Sequence, residues 1–386
     1  MKTLKSYKFR IYPNKTQEIL LAKTFGCVRF SWNSWVEAFN KKEQEKSVKE
    51  LRQQYDWIKE VSSTILNQKQ NDFNETKRQF FSKTRNKKIN RPKFKKKGCK
   101  ESFRQQYPHY NKEIHKIQIA KIGWIKVIDH QEIPNDVKLL SITVSKDSCR
   151  DYYASILVEQ EVQELPKTRN TIGIDVGLKE FVTTSDKLQI KNPRYFRKSQ
   201  SNLARAQRHL SRKVKGSNRY HRQRLKVARI NRKIARQREW FLHNVSKWLV
   251  TNYDVICLEN LNVEGMKRNH CLAKSISDAA FANLRRMTEY KSKWYGKTTL
   301  KVDRFYPSSK ICNKCGQKKE NLTLTDRIFV CDNCGNVEDR DYNASKNIRD
   351  EAMGVNVAQR AWRECQTEVD LSTLAVPYEM LNASCI

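Results

Sequence analysis

The sequence has few of the features that mark membrane, secreted or disordered proteins. No stretch approaches the ~18–20 consecutive apolar residues that a membrane-spanning helix needs, and the mean hydropathy is −0.81. Residues 1–5 carry lysines with no apolar segment behind them, so we expect a cytoplasmic protein. Glycine and proline number only 11 and 8 of 386 residues. Aromatic and branched residues recur at core-like spacing, which excludes a chain disordered throughout. The length suggests two or three domains.

Acidic residues are also in short supply. The chain has 41 Asp and Glu against 77 Lys and Arg, which gives a formal net charge of +36 and an isoelectric point near 9.8. So large an excess needs a partner with dense negative charge along an extended surface, and nucleic acid is the commonest partner of this kind. A structural protein of the ribosomal type, or a general basicity, would also account for the charge alone.

The basic residues are concentrated in two runs that contain no acid. Residues 83–100 hold ten Lys and Arg, and residues 191–238 hold eighteen. In the second run, apolar residues recur at steps of three and four, which predicts helices with an apolar seam and cationic outer faces. Gly216-Ser217-Asn218 predicts a turn that makes these helices a hairpin. The seam residues are Leu203, Ala206, Leu210, Val214, Leu225, Ala228, Ile230 and Ile234.

We interpret the two runs as surfaces that bind phosphates, because so many unpaired cations on one isolated face would repel one another. A solvated surface is the alternative. The candidate nucleic-acid contacts are Lys93, Lys95, Lys96, Lys97, Arg205, Arg208, Arg212, Lys213, Lys215, Arg222 and Arg224.

The spacing of apolar residues changes along the chain and predicts separate helical and β-rich regions. Alternation over Leu4–Tyr12 predicts a strand, and Pro13 then introduces a helix that runs toward Phe39. Residues 41–81 keep a helical spacing, whereas residues 101–164 change to a period of two and predict a β-rich module. Residues 165–170 are predicted to be a linker.

Three acids stand at the ends or starts of apolar elements in the C-terminal half. Asp175 lies in an apolar strand between Gly173 and Gly177, which permit close approach of a backbone or a ligand. Glu259 ends a second apolar run, and Asp341 opens a helix. A buried acid is costly without a compensating cation, although a single acid at a strand end often only caps the next helix.

The joint pattern is more specific than any one acid. An Asp on the first strand, a Glu after a later strand and an Asp on a late helix are the arrangement of a ribonuclease-H-like α/β nuclease core. Asp175, Glu259 and Asp341 are therefore the candidate catalytic residues and the candidate ligands of two Mg²⁺ ions about 3.5–4 Å apart, which would promote phosphodiester hydrolysis. Asp339 is the competing acid on that helix. Two residues turn a helix by about 200°, so Asp339 and Asp341 cannot face the same site.

Four cysteines have the spacing of a zinc site. Cys312 and Cys315 form one CxxC pair, and Cys331 and Cys334 form the other, with 15 residues between the pairs and a glycine after each. Disulfides or free thiols are the alternatives, but the other seven cysteines show no pairing pattern, and a cytoplasmic location favours reduced thiols. Four thiolates leave no open coordination position, so the predicted Zn²⁺ is structural.

The order of these motifs resembles the TnpB (OrfB) family of insertion-sequence transposons, which is related to the type V CRISPR effectors. The resemblance covers most of the chain. Glu338 stands where the family usually has His. The matching segments are Tyr7–Pro13, Arg91–Lys95, Gly173–Lys179, Leu258–Val263, Leu272–Asp278, Asp303–Lys310, the two CxxC pairs and Asp339-Arg340-Asp341.

The resemblance implies an RNA-guided DNA endonuclease with a RuvC-type core whose metal-binding triad is Asp175, Glu259 and Asp341. It implies a guide RNA from the transposon end and a short target-adjacent motif on double-stranded DNA. It also suggests a division into modules. Residues 353–386 match no known pattern, and we expect them to be a mobile tail. The modules are a wedge-like, β-barrel-like module (1–11 and 95–168), a helical recognition module (12–94), the nuclease core (169–306 and 336–352) and a zinc ribbon (307–335).

Two other functions stay open from the sequence. A guide-dependent DNA-binding repressor with an inactive core would keep the basic surfaces but would not need all three acids. A DNA-joining transposase would use similar carboxylates. The zinc ribbon between the second and third acids and the long cationic hairpin favour the guided nuclease.

Overall fold

The computed structural model describes residues 2–82, 90–98, 101–135, 137–323 and 325–355. Contacts divide the chain into two compact units, Met1–Glu161 and Val162–Ile386. The basic stretch 83–89, Lys100 and the expected tail from residue 356 onward lie outside the described residues. No helix in the described ranges is long and apolar enough to cross a membrane.

The first unit begins with a strand that leads into helices. Strand β1 (Lys2–Tyr12) precedes helix α1 (Lys15–Lys41), and both agree with the sequence prediction. The Asn14 side chain accepts the Gln17 N–H at 2.8 Å, and the Gln17 side chain accepts the Asn14 N–H at 3.1 Å. This capping box explains why α1 begins here.

Residues 41–81 are helical, as predicted, but they form three pieces. These are α2 (Val48–Gln54), a 3₁₀ helix (Asp56–Glu60) and α3 (Ser63–Phe81). Ser47 caps α2 together with Glu50, and Tyr55 and Val61 have extended backbone between the pieces. Apolar spacing alone does not reveal these breaks, because the apolar residues of all three pieces enter the same core.

Six further strands complete an antiparallel sheet in the first unit. Phe103 of this sheet packs on Phe25 of α1, with 5.4 Å between ring centroids. The β-rich prediction is confirmed, but the expected barrel-like closure is not observed in the described residues, since the first and last strands of the order are edges. The strands are β2 (Glu101–Gln106), β3 (His109–Asn111), β4 (Lys116–Ile119), β5 (Gly123–Ile128), β6 (Lys138–Lys146) and β7 (Tyr152–Glu161), in the order β2-β6-β7-β1-β5-β4-β3.

A five-stranded mixed sheet forms the centre of the second unit. The first three strands form an antiparallel meander, and the last two extend the sheet on the other side of the first, parallel to it. The strands are β8 (Thr171–Asp175), β9 (Glu180–Thr184), β10 (Gln189–Lys191), β11 (Val255–Leu258) and β12 (Thr298–Lys301), in the order β10-β9-β8-β11-β12.

The helices of the second unit lie between and after these strands. Helices α4 and α5 connect β10 to β11, and α6, α7 and α8 connect β11 to β12. A short antiparallel hairpin, β13 (Ile328–Val330) and β14 (Val337–Asp339), precedes α9. The helices are α4 (Tyr195–Ser211), α5 (Asn218–Asn252), α6 (Val263–Met266), α7 (His270–Ala279), α8 (Phe281–Trp294) and α9 (Arg340–Ala352).

Helices α4 and α5 form the hairpin that the second basic run predicts. Ser217 accepts a backbone N–H in the first turn of α5 and caps it. The seam residues Leu203, Ala206 and Ile234 are buried, as predicted. The placement of Val214 in the seam is wrong, since α4 ends before it and its side chain is 78% exposed in the turn.

Close packing of α9 on β8 depends on a glycine. A Cβ atom at Gly173 would lie 2.0 Å from the Ser345 carbonyl oxygen and 2.7 Å from the Arg349 nitrogen, both in the backbone of α9. A Cβ atom at Gly177 would lie 2.7 Å from the Glu180 carbonyl oxygen. The predicted close backbone approach is confirmed at both glycines, and it brings α9 against the strand that carries the first candidate acid.

Candidate metal centres

Asp175 and Glu259 leave the same edge of the second sheet. Strands β8 and β11 are parallel neighbours, and Ile174 pairs with Leu258 in their register. Asp175 ends β8 and Glu259 directly follows β11, so each acid lies one residue beyond this pair. The carboxyl ends of parallel strands are where α/β sheets place ligand-binding groups.

Asp341 comes to this edge on α9. It lies in the first turn of the helix that packs on β8. Two residues earlier, Asp339 caps the helix, because its Oδ1 accepts the N–H groups of Asp341 at 3.0 Å and Tyr342 at 2.9 Å. The two acids therefore have different roles, as the helix geometry predicted, and Asp341 is the one that interacts with Asp175.

The three acids share one electrostatic environment. Burial raises the pKa of Asp175 well above its usual range, the negative charges of Glu259 and Asp341 raise it further, and the nearby Arg340 opposes the shift. Burial also raises the pKa of Glu259, against a hydrogen bond from Ser308. Like charges in a buried position are costly, so this arrangement calls for a cation.

Two of the acids have hydrogen-bond partners that sequence reasoning missed. The Ser308 hydroxyl donates to Glu259 Oε1 at 2.6 Å. The Arg340 guanidinium donates to Asp341 Oδ1 through Nε at 3.1 Å and Nη2 at 2.9 Å, and Arg327 lies 3.9 Å from Oδ2. Ser308 and Arg340 both lie in segments that carry the family resemblance, which was the available signal, but no chemistry in the sequence assigned them a role.

The carboxylates are electrostatically coupled without forming a tight cluster. Within the described part of the chain, the only group of three or more His, Cys, Asp or Glu whose ligand atoms all lie within 4.8 Å of one another consists of four cysteines. The triad does not form such a group. Instead, Glu259 and Asp341 are held by the hydroxyl and guanidinium partners described above.

Cys312, Cys315, Cys331 and Cys334 form that group, as the CxxC spacing predicted. The Sγ atoms of Cys312 and Cys334 are 3.7 Å apart, and those of Cys315 and Cys331 are 3.5 Å apart. Four thiolates at ~2.3 Å around a tetrahedral Zn²⁺ would be separated by about 3.8 Å. The donor set and its spacing therefore fit structural zinc.

The two CxxC turns have the same backbone design. The Gly316 N–H donates to the Cys312 carbonyl at 2.9 Å, and the Gly335 N–H donates to the Cys331 carbonyl at 3.1 Å. Both glycines have positive φ, +77° and +69°, which favours glycine over other residues. Each turn is called a zinc knuckle below: the first spans residues 312–316 and the second residues 331–335.

The candidate phosphate contacts of the second unit are exposed along the α4–α5 hairpin. Within the described residues, none of the seven forms an ion pair with an acid. By contrast, Arg238, the last residue of the second basic run, forms an ion pair with Asp278 at 3.2 Å. The seven exposed cations are Arg205, Arg208, Arg212, Lys213, Lys215, Arg222 and Arg224.

Three candidate contacts of the first unit are exposed, namely Lys93, Lys96 and Lys97. Lys95 is only partly exposed. The Lys95 ammonium lies 3.7 Å from the centre of the Trp32 ring. Burial, followed by the charge of Lys69, lowers the pKa of Lys95 to about 7. Lys95 thus anchors its segment to α1 in this structure, and charge patterning did not distinguish it from its neighbours.

Sequence relatives identify the family of the chain. A "Putative RNA-guided DNA endonuclease" of Streptomyces pristinaespiralis is 34% identical over 360 residues, which cover 89% of this chain and 88% of the relative. A "Putative RNA-guided DNA endonuclease InsQ" of Escherichia coli is 30% identical over 384 residues, which cover 90% of this chain and 92% of the relative. The chain therefore belongs to the TnpB (OrfB) family, as its motif order predicted.

Family descriptions match three parts of the chain. Residues 155–270 match the OrfB family described as "Probable transposase", and residues 281–348 match the "Cas12f1-like, TNB domain". Residues 1–44 match a family described as "Helix-turn-helix domain". In this structure the last range holds one strand and one long helix, β1 and α1.

Two solved complexes show a weaker likeness. "Cryo-EM structure of the Cas12f1-sgRNA-target DNA complex" has 18% identity and a TM-score of 0.36, and the match covers 90% of this chain and 99% of that chain. "Cryo-EM structure of CRISPR-Cas12f Ternary Complex" has 18% identity and a TM-score of 0.37, and the match covers 86% and 82%. The family assignment rests on the sequence relatives and not on these structures.

Proposed function

We propose that this chain is a Mg²⁺-dependent, RNA-guided DNA endonuclease that cleaves double-stranded DNA beside a short target-adjacent motif. One observation carries the proposal. Three acids from three separate elements, Asp175, Glu259 and Asp341, meet at one edge of a sheet, where burial and then the charges of the other two acids raise the pKa of Asp175. The names of two relatives at 34% and 30% identity point to the same class of enzyme.

The strand order supports an RNase H-like (RuvC) core. Numbered along the chain from β8, the five strands have the order 3-2-1-4-5, with strands 1 to 3 antiparallel and strands 1, 4 and 5 parallel. The first acid is on strand 1, the second directly follows strand 4, and the third is on the helix that packs against strand 1. This is the division of acids expected from the sequence.

The three carboxylates are proposed to hold two Mg²⁺ ions. Magnesium takes oxygen ligands and is usually bound through a few carboxylates together with substrate phosphates. The chemistry of the donors fits, because Asp175 is buried beside two further acids and a divalent cation would offset their repulsion. When bound, Mg²⁺ supplies activation of a water and stabilisation of the leaving oxygen in phosphodiester hydrolysis.

Neighbouring side chains prepare the acids for this role. The Ser308 hydroxyl fixes the orientation of the Glu259 carboxylate through a short hydrogen bond. Arg340 pairs with Asp341, and its charge opposes the rise in the pKa of Asp175. Arg340 thereby offsets part of the repulsion among the acids and keeps Asp175 closer to its ionised, metal-binding form.

Nucleic acid is proposed to lie on the exposed cations. The α4–α5 hairpin would hold the phosphates of the guide–target heteroduplex, and Lys93, Lys96 and Lys97 would contact guide RNA or the flanking duplex. The sheet and helices of the first unit are proposed to form the wedge module (1–11 and 95–168) and the recognition module (12–94), with the nuclease core at 169–306 and 336–352. The guide RNA is proposed to derive from the transposon end.

The proposal is tested by purifying the chain from cells with its bound RNA and sequencing that RNA. The complex is then incubated with Mg²⁺ and a DNA library that carries the matching target beside randomised flanks. We expect double-strand breaks only in molecules that share one flanking motif, and none with the Asp175→Ala complex. Binding without cleavage by the wild-type complex would indicate a repressor, and strand-transfer products would indicate a DNA-joining transposase.

A further inference from the structure

Helix α9 carries buried polar side chains on one side. Asn343 and Asn347 are 0% exposed and Asp350 is 1% exposed. Their spacing of four and three places them on one helix face. At about 100° per residue, this face lies roughly 180–240° around the helix from Asp341. The helix also packs on β8 at Gly173, so the polar face is available to a different neighbour.

The first zinc knuckle is that neighbour. Asn313, which lies between its two cysteines, is 2% exposed. Its backbone N–H donates to Asn343 Oδ1 at 2.9 Å, and its side-chain amide donates to Asp350 Oδ2 at 2.9 Å and Asn347 Oδ1 at 3.2 Å. The Asn343 amide donates to the Ile311 carbonyl at 2.7 Å. Because these groups are buried, removing one partner leaves another unsatisfied, which costs more than an exposed hydrogen bond.

The same network reaches the second acid. The Asn347 amide donates to the Ser308 carbonyl at 2.8 Å and to the Ile311 carbonyl at 2.6 Å. The Ser308 hydroxyl donates to Glu259 Oε1. Asn347 therefore holds the backbone of the residue that orients Glu259, while the helix to which Asn347 belongs carries Asp341.

The second knuckle has a different relationship to its surroundings. Asp332 follows its first cysteine, as Asn313 follows the first cysteine of the other knuckle. The Asp332 side chain is 73% exposed and pairs with Lys319 at 3.0 Å. The two knuckles have the same backbone turn but differ in the residue after the first cysteine. Asn313 of the first knuckle is hydrogen-bonded to the buried polar face of α9, whereas Asp332 of the second is exposed.

We infer that the first zinc knuckle positions two of the three Mg²⁺ ligands. Through Asn313 and Asn347 it sets the rotation of α9, which aims Asp341, and through Asn347 and Ser308 it orients Glu259. Asn313, Asn347 and Ser308 are positioning residues and not ligands. The inference rests on the proposed role of the acids. Removing partners that orient metal ligands typically lowers metal affinity by about 10–100-fold.

The test measures metal binding directly. Mn²⁺ is titrated into the purified chain with its guide RNA, and free Mn²⁺ is followed by electron paramagnetic resonance. The Asp175→Ala complex serves as the reference for Mn²⁺ held by the RNA. Asn313→Ala, Asn347→Ala and Ser308→Ala are each expected to weaken the protein-dependent binding by about 10–100-fold, with zinc content and guide RNA retained. Asp332→Ala, the matched change in the second knuckle, is expected to leave it unchanged.

Cleavage provides a second readout. The Mg²⁺ concentration at half-maximal cleavage should rise by the same factor in Asn347→Ala and Ser308→Ala, and high Mg²⁺ should restore part of the rate. Ser308→Ala removes only a hydroxyl and keeps the carbonyl that Asn347 binds, so it stays informative if Asn347→Ala does not fold. Unchanged Mn²⁺ affinity in the folded Ser308→Ala complex would overturn the inference.

Failure of the proposed function would look different. If Asp175→Ala bound Mn²⁺ as tightly as the wild-type complex, the acids would not be the metal site at all. If Asp175→Ala abolished Mn²⁺ binding but the wild-type complex cut no DNA, the nuclease proposal would fail. The comparison of Asn313→Ala with Asp332→Ala would still decide the role of the first knuckle.

Discussion

Lys297 forms an ion pair with Asp254 at the opposite end of the strands from the three acids. Asp254 directly precedes β11 and Lys297 directly precedes β12, so the pair joins the starting ends of two parallel neighbours. The Lys297 side chain is 1% exposed, and the Arg169 N–H also donates to Asp254 at 2.7 Å. The acid before β11 is therefore structural, whereas Glu259 after the same strand belongs to the candidate site.

Breaking this pair should destabilise the second unit. Asp254→Asn leaves the buried ammonium of Lys297 without its counter-charge, and removing one partner of a buried pair typically costs about 3–5 kcal/mol. Burial raises the pKa of Asp254, but Lys297 and backbone N–H groups outweigh it and lower the pKa to about 2. An acid with a lowered pKa stabilises the fold above its unfolded pKa of ~3.9 and loses this effect as the pH falls toward 2.

Urea unfolding of Asp254→Asn and the wild type across pH tests this. The stability difference should be full at neutral pH and should shrink below about pH 4. Glu289→Gln is the matched control, because its partner Lys301, at the other end of β12, is 44% exposed. We expect the control to cost at most about 1 kcal/mol. Equal decreases in the stability of the two variants would contradict the prediction.

Without added Mg²⁺, Asp175→Asn should raise the melting temperature. The raised pKa of Asp175, due to burial and to Glu259 and Asp341, means that its ionised form opposes folding. Stability from such a group is present at low pH and is lost as the pH rises through its folded pKa, so the wild type should weaken toward alkaline pH and the variant should weaken less. Added Mg²⁺ should stabilise the wild type more than the variant.

Differential scanning calorimetry with and without Mg²⁺ measures this response. Asp339→Asn is the control, since it changes the capping acid of the same helix. It should lower stability slightly but keep the full Mg²⁺ response. A Mg²⁺ response in Asp175→Asn equal to that of the wild type would refute the assignment.

Loss of one zinc ligand should release the metal and loosen the ribbon. Cys315→Ser removes one of the four thiolates, and binding free energy at such sites is folding free energy. Zinc analysis and limited proteolysis between residues 307 and 335 report the two effects. Cys271→Ser is the control, because Cys271 is exposed on α7 and lies outside the cluster. Zinc retained in Cys315→Ser would show that the cluster does not bind it.

Neutralising the hairpin should make nucleic-acid binding less sensitive to salt. For every phosphate that is no longer neutralised, the slope of log affinity against log salt should become shallower by about 0.7–0.9. The test combines alanine substitutions at Arg205, Arg208, Arg212 and Lys215 and measures affinity for guide RNA and target DNA across salt concentrations. Lys41→Ala and Lys59→Ala are controls, since both lysines are paired with nearby acids. An unchanged slope in the hairpin variant would remove these residues from the interface.

The placement of two candidate acids at one sheet edge and the clustering of the four cysteines can be predicted from the sequence because the signal is local. Asp175 and Glu259 each stand at the end of an apolar strand, and parallel pairing then brings them to one edge. The CxxC spacing likewise fixes a tight turn whose sulfurs converge. In both cases, a segment of a few residues determines where the side chain lies.

Side-chain interactions between distant segments could not be predicted in this way. Asn347 and the Ile311 carbonyl are 36 residues apart, and Asn313 and Asp350 are 37 residues apart. Polar residues at such positions have the composition of a solvated helix face, and only folding shows that they are buried. Lys95 is the converse case, since its sequence neighbours are exposed cations while its own ammonium lies on Trp32.

The order of the acids along the chain has a consequence for synthesis. Asp175 and Glu259 precede the zinc ribbon, whereas Asp341 follows both knuckles. A ribosome that has completed all five strands of the second sheet and both CxxC pairs has still not supplied the third acid. An interrupted translation product that ends before residue 341 would therefore carry the basic surfaces without a complete set of acids.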